Sequence, residues 1–177
     1  MNEKGVFFAT TSLIVQEDGC TEFASTAITP MEWNAFRLLT RAGYTIVLLT
    51  ADRTAVYAER QIGQAGPRAD IQATFPPARH QSDLINRFAP LFQATASLDI
   101  DLQQSWMVSD RLDHIEVGRL VGCKTLFLPN GTEQDWEMTA MRWPDLIADD
   151  VWEIACLIVM SDGVPVEWLS DEPDADE

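Results

Sequence analysis

One stretch near the N-terminus strongly limits how this chain can fold. Thr29 can cap a helix, Pro30 suits the first helical position, and Glu32 stands three residues after the cap, which completes a capping box. Apolar residues then recur at helical spacing until Gly43, which suits a left-handed C-cap. The residues that follow directly, Tyr44–Leu49 (YTIVLL), predict a fully buried strand.

Similar strands and helices alternate along the rest of the chain. The other predicted strands are Val6–Phe8, Ile71–Phe75, Trp106–Val108 and Thr125–Leu128, and the other predicted helices are Thr54–Gln64, Ser82–Ala96, Leu112–Val121 and Asp149–Met160. This alternation predicts an α/β fold, a three-layer sandwich with a Rossmann-like, mainly parallel sheet, helices on both faces and no large cap domain. We expect residues 1–160 to form this one domain and residues 161–177 to form an acidic, disordered tail.

The charge and composition exclude several classes of partner and site. A formal net charge of -16 argues against nucleic acid and against an anionic membrane surface. No apolar run approaches the roughly 20 residues that span a bilayer, and the N-terminus lacks a signal-peptide pattern, so we expect a cytoplasmic protein. The three cysteines form no C-x-x-C pair, which argues against a disulfide framework or a zinc site.

Small and polar residues follow three of the predicted strands. They are Ala9–Ser12, Thr50–Asp52 and Ser109–Asp113. Ligands of parallel α/β sheets bind beyond the carboxyl ends of the strands. The sequence therefore predicts a pocket where these three loops meet.

Three segments, in this order, resemble the haloacid dehalogenase superfamily. They are KGVFFATTSLIV, AGYTIVLLT and LDIDLQQSWMVSDRLDHIEVGRLVGCKTLFLPNG, and the last is most similar to the branch of histidinol-phosphate and heptose-bisphosphate phosphatases. The resemblance implies a phosphatase in which an aspartate after the first strand attacks phosphorus and a second aspartate acts as general acid. It also implies a hydroxyl and a lysine that hold the phosphoryl group, and acidic residues that bind magnesium.

The chain departs from this pattern at the first motif. The nucleophile position of the family falls on Ala9 and the general-acid position on Thr11, and neither side chain can do that chemistry near neutral pH. No aspartate lies anywhere between Lys4 and Val15, so a small shift of the alignment does not restore the nucleophile. Losing one member of a catalytic unit typically costs a factor of about 10^4 to 10^6 in rate.

The phosphate-binding positions are also incomplete. Thr50 keeps the hydroxyl of the second motif, which makes it a weak phosphate anchor. The family's lysine falls on Ile85 without a gap, whereas a slip of two residues would place Arg87 there as a weak phosphate-binding candidate. His80 is a further basic candidate, and Asp52 faces the same predicted pocket.

The metal-binding motif is kept only in part. Asp110 is a candidate metal ligand, although it could equally cap the helix that follows. The glycine before it is replaced by Ser109, and the position of the second aspartate falls on His114, with Asp113 one residue earlier. Asp113 and His114 are therefore weak metal candidates, and magnesium is an option for this chain rather than a requirement.

Together these departures predict a pseudo-phosphatase that has kept the fold and lost the aspartyl-phosphate machinery. We expect it to act by binding, and a protein partner or a homodimer is favoured over a small phosphorylated ligand because of the negative charge. Trp136, Trp143 and Trp168, in the C-terminal third, are of the type enriched at interfaces, although a helix and loop that cover the sheet edge explain them more simply. The alternative is a divergent hydrolase that acts on a small phosphorylated metabolite such as a sugar phosphate.

Overall fold

Six strands and three longer helices form the part of the chain that the computed structural model describes, namely residues 3–9, 29–50, 69–74, 91–92, 95–129 and 137–163. The strands are β1 Lys4–Ala9, β2 Tyr44–Thr50, β3 Ala69–Thr74, β4 Trp106–Ser109, β5 Lys124–Phe127 and β6 Leu146–Ile147. The helices are α1 Pro30–Arg41, α2 Leu112–Leu120 and α3 Val151–Ser161. None of the described helices is long and apolar enough to cross a membrane.

The start and end of α1 follow the sequence signals. The Thr29 side chain accepts a hydrogen bond from the backbone N–H of Glu32, and the Glu32 carboxylate accepts one from the backbone N–H of Thr29 at 2.6 Å. Gly43 has φ 85°, which is the left-handed conformation expected of it. The predicted helix Thr54–Gln64 and most of Ser82–Ala96 lie outside the described residues, and the two-residue strand β6 was too short to predict.

All strand pairs of the sheet are parallel, and the strand order is β3-β2-β1-β4-β5-β6. Strands β2 and β3 therefore lie on one side of β1, and β4, β5 and β6 lie on the other side. The order reverses between β1 and β4, which is the topological switch point of such a sheet. This architecture confirms the predicted Rossmann-like sheet.

Apolar side chains cover both faces of the sheet. On one face Val6 and Phe8 of β1 join Phe36 of α1 and Ile154 of α3 in the main core, and the rings of Phe8 and Phe36 meet edge to face with centroids 5.3 Å apart. On the other face Phe7 belongs to a second cluster, to which α2 contributes Val117. The alternation of neighbouring β1 residues between two cores confirms the three-layer arrangement.

Ordered structure continues past the predicted domain boundary at residue 160. Helix α3 includes Ser161, and the next residue, Asp162, accepts hydrogen bonds from Lys4 Nζ at 2.7 Å and from the Tyr44 hydroxyl at 2.6 Å. Lys124 Nζ lies 3.9 Å from the other carboxylate oxygen of Asp162. These contacts join the end of α3 to three strands of the sheet, and the predicted acidic tail from residue 164 onward lies outside the described residues.

Candidate functional site

The carboxyl ends of β1, β2 and β4 lie side by side at the switch point. Ala9 is the last residue of β1 and pairs with Leu49, so that Thr50 ends the neighbouring strand one residue later. On the other side of β1, Phe8 pairs with Val108, which places Ser109 next to the level of Ala9. The fold therefore brings the carboxyl ends of the three strands that precede these loops to one edge of the sheet.

Asp110 follows β4 directly and is almost fully buried, with 1% of its surface exposed. The N-cap residue of α2 is Arg111, whose side chain makes no capping hydrogen bond, so the hypothesis that Asp110 is the N-cap is wrong. Helix α2 begins at Leu112, as predicted, and the extended residue Arg111 separates it from Asp110. Asp110 thus remains a buried carboxylate at the switch point and the strongest of the predicted metal candidates.

His114 is bound to Ser109. Its Nδ1 atom lies within hydrogen-bond distance of Ser109 Oγ, at 2.9 Å, and the backbone N–H of Arg111 donates to that oxygen at 3.1 Å. Ser109 and His114 occupy the positions that the resemblance assigns to the glycine and to the second aspartate of the motif. The two departures are therefore in direct contact, and neither could have been understood from its position in the sequence alone.

Asp113 is held by Arg111. The guanidinium donates from Nε to Oδ1 at 3.0 Å and from Nη2 to Oδ2 at 2.8 Å, which is a bidentate pair. The Asp113 side chain is 15% exposed and that of Arg111 is 45% exposed. Sequence reasoning missed Arg111, although a basic residue two positions before an aspartate in the same turn was a usable signal.

The residues that the structure describes do not fit the magnesium site that the fold implies. Magnesium needs near-octahedral oxygen coordination, usually with several carboxylates or phosphates among its ligands. Within the described ranges, no group of three or more His, Cys, Asp or Glu side chains could hold a metal ion. Both oxygens of Asp113 face Arg111, and His114 is a nitrogen donor, which a hard cation disfavours.

Five predicted site residues lie outside the described residues. They are Thr11, Asp52, His80, Ile85 and Arg87. Their assignments, including Arg87 as a phosphate-binding candidate, stay predictions. For Ala9 and Thr50 the structure gives the place at the ends of β1 and β2.

Comparison with known proteins shows which of them share this architecture. A family model described as HAD-hydrolase-like matches residues 89–154. The D,D-heptose 1,7-bisphosphate phosphatase of B. bronchiseptica superposes with a TM-score of 0.66 at 16% identity, over 89% of this chain and 99% of that chain. The chain has a haloacid dehalogenase-like fold. The search of curated proteins found no match.

Two further structures show the same fold. The D,D-heptose 1,7-bisphosphate phosphatase of Burkholderia thailandensis gives a TM-score of 0.61 at 16% identity, over 89% of this chain and 99% of that chain. The deoxy-D-mannose-octulosonate 8-phosphate phosphatase of Haemophilus influenzae gives 0.61 at 12% identity, over 97% and 94%. The B. bronchiseptica structure holds magnesium and phosphate, and the H. influenzae structure holds cobalt. The predicted resemblance is thus confirmed, and this haloacid dehalogenase-like chain has the fold of phosphatases.

Proposed function

We propose that this haloacid dehalogenase-like chain is a pseudo-phosphatase that acts by binding a protein partner or ligand. The observation that carries the proposal is the residue at the carboxyl end of β1. That position is Ala9, at the switch point and beside the end of β4. A methyl group offers no lone pair to phosphorus, so an aspartyl-phosphate intermediate cannot form there.

The neighbouring loop supports the same conclusion. The carboxylate that could replace the second metal ligand, Asp113, is neutralised by Arg111, and the residue in the ligand's own position is bonded to Ser109. An ion pair with a guanidinium competes with metal coordination for the same oxygens. Because Asp113 and His114 are already bonded within the chain, this loop is better suited to form a fixed surface than to bind a cation.

One observation favours the alternative, a divergent hydrolase that acts on a small phosphorylated metabolite. Asp110 is a carboxylate buried at the switch point, and His114 stands one helical turn away in sequence. A histidine can exchange protons near neutral pH. Water activated by such a pair would then have to take the place of the missing nucleophile.

A phosphatase assay tests the proposal. The purified chain would be assayed with magnesium and with cobalt against sugar phosphates, histidinol phosphate and an activated aryl phosphate, beside the B. bronchiseptica enzyme as positive control. The expected result is no turnover by the chain. Turnover that is lost in Asp110→Asn would overturn the proposal and establish the divergent hydrolase. Turnover that is unchanged in Asp110→Asn would point to a contaminating enzyme, which a second purification scheme should remove.

A second variant checks the reasoning about the motif. Ala9→Asp restores the family's nucleophile but leaves Thr11 and His114 in place. We expect Ala9→Asp to stay inactive, because the general acid and one metal ligand are still missing. Turnover by Ala9→Asp at a substantial fraction of the positive control would show that the rest of the machinery is intact, and would contradict the claim that the whole unit is lost.

A further inference from the structure

Exposed apolar side chains concentrate on the connection between β5 and β6 and on β6 itself. Four large hydrophobic residues there are at least about a third exposed, and we call them the edge patch: Met138 at 42%, Met141 at 36%, Trp143 at 64% and Ile147 at 60%. They fall within ten consecutive residues beside the last strand of the described sheet. Single exposed hydrophobics are ordinary, whereas such a concentration marks an interaction surface.

The backbone that carries the edge patch is fixed by two arginines. Arg142 is buried and binds Glu116 of α2 at 2.9 Å, so that the chain is tied down between Met141 and Trp143. Arg119 of α2 donates to the carbonyl oxygen of Trp143 at 2.7 Å and to Asp145 Oδ1 at 2.9 Å. An exposed tryptophan on a fixed backbone loses little conformational entropy when a partner binds.

Ile147 extends an apolar face that α2 leaves uncovered. It pairs in register with Phe127, which is 3% exposed and clusters with Leu112 and Ile115 of α2. Register partners in a parallel sheet face the same side. The apolar surface that α2 buries at Phe127 therefore continues to Ile147, which is open to solvent.

The charge around the edge patch indicates the charge of its partner. The segment 137–153 holds one basic residue, Arg142, which is buried and paired, and five acidic residues: Glu137, Asp145, Asp149, Asp150 and Glu153. The nearby guanidinium of Arg119 is paired with one of them, Asp145. The whole chain carries a formal net charge of -16, so a second copy of the chain is repelled. A positively charged partner is attracted to the same surface, and its cations can also lie over the Trp143 ring.

We propose that the edge patch binds a basic segment of another protein, in which an aromatic or aliphatic anchor is flanked by Lys or Arg. The anchor would cover Trp143 and Ile147, and the flanking cations would pair with acidic residues of segment 137–153. This inference rests on the proposed function, since it names the partner of a chain that acts by binding. It places the partner at the β6 edge of the sheet, away from the β1–β4 switch point.

Selection from a random peptide library displayed on phage tests the inference. The immobilised full chain is the target, and a Trp143→Ser/Ile147→Ser variant is used for counter-selection. Recovered peptides should combine Lys or Arg with one or two large apolar residues. Synthetic copies should bind the wild-type chain, as measured by fluorescence anisotropy, and bind the double variant about 10-fold or more weakly, which is typical for the loss of a tryptophan hot spot.

Two controls keep the result interpretable. Met31 of α1 is 45% exposed, so Met31→Ser removes a comparable apolar surface elsewhere and should leave peptide binding unchanged. Raising the salt concentration should weaken binding to the wild-type chain, because the flanking charges are screened. The altered side chains are exposed, so thermal unfolding of each variant should match the wild type.

Several outcomes would overturn the inference. They are a library that yields no basic and apolar peptides, peptides that bind the double variant as well as the wild type, and sedimentation that shows a dimer dependent on Trp143. The phosphatase assay is independent of these outcomes. Peptide binding by a chain that also hydrolyses phosphate esters would sink the proposed function alone, and an inactive chain without peptide binding would sink the edge-patch inference alone.

Discussion

Replacing Asp162 by alanine should destabilise the whole domain, although this residue lies beyond the boundary expected from the sequence. Its carboxylate accepts hydrogen bonds from Lys4 and from the Tyr44 hydroxyl at 2.7 and 2.6 Å, and Lys124 lies 3.9 Å away. Tyr44 is 3% exposed, so its hydroxyl has little access to bulk water when the acceptor is lost.

The magnitude follows from these contacts. A buried hydroxyl that loses its acceptor costs about 1–3 kcal/mol, and the two partly exposed ion pairs together add about 0.5–1 kcal/mol. Asp162→Ala should therefore lower the free energy of unfolding by about 2–3 kcal/mol. Tyr44→Phe removes the hydroxyl donor, so no donor is left unpaired when it is combined with Asp162→Ala. The double variant should therefore lose about 1–2 kcal/mol less free energy of unfolding than the two single losses added together.

Urea denaturation at pH 7, followed by circular dichroism, gives the free energies of unfolding of the wild type, both single variants and the double variant. Asp149→Ala is the matched control, because it removes one negative charge from an exposed aspartate near the start of α3. Losses for Asp162→Ala that match those of Asp149→Ala, or four free energies that are simply additive, would refute the account of Asp162 as a tie between α3 and the sheet.

The same contacts set a pH dependence. Burial alone would raise the pKa of Asp162, but the hydrogen bonds from Lys4 and Tyr44 and the charges of Lys4 and Lys124 outweigh it, and the pKa lies below its usual value. Burial and the hydrogen bond to Asp162 raise the pKa of Tyr44. The stabilisation is therefore full between about pH 4 and pH 10, and is lost as the pH falls through the folded pKa of Asp162 or rises toward that of Tyr44. If the difference in free energy of unfolding between wild type and Asp162→Ala stays unchanged below pH 3, the predicted loss of stabilisation at low pH is contradicted.

Three further predictions concern stability and reactivity. Gly118→Ala should destabilise the fold by about 1–3 kcal/mol in urea denaturation despite the helix propensity of alanine, because its Cβ would lie 2.7 Å from Met107 Cβ; a stabilised variant would show that α2 can move. Cys123, whose pKa burial raises to about 12, should resist a thiol reagent at pH 8 until the protein unfolds, as read by mass spectrometry of its peptide; labelling at the rate of an exposed thiol would argue otherwise. Phe36→Ala should lower the free energy of unfolding by about 3–5 kcal/mol, whereas Met31→Ala should lower it little because Met31 is exposed. Equal losses would contradict the assigned core.

Much of the fold could be predicted because its signals are local. The capping box of α1, the left-handed Gly43 and the buried strand Tyr44–Thr50 each depend on residues within a few positions of one another. The alternation of strands and helices then fixes a parallel sheet, since parallel strands need crossover helices. Strand β6 escaped prediction because two residues carry no periodic pattern.

The candidate site was predictable only in its composition. The absence of an aspartate near the end of β1 is a fact of the sequence, and so is the presence of Asp110. The partner of each side chain was not available in the same way. The cap of α2 is Arg111 and not Asp110, because the N-cap is the residue directly before the first helical residue, Leu112.

The sequence by itself determined which of these elements form and which residue types stand at the motif positions, because both depend on the order and spacing of the residues. Tertiary structure decided which side chains meet. It set Ser109 against His114, tied Asp162 to Lys4 and Tyr44 across more than a hundred residues of chain, and left Trp143 and Ile147 exposed beside the last described strand. These pairings depend on sheet order and helix placement, which only the balance of burial over the whole domain can fix.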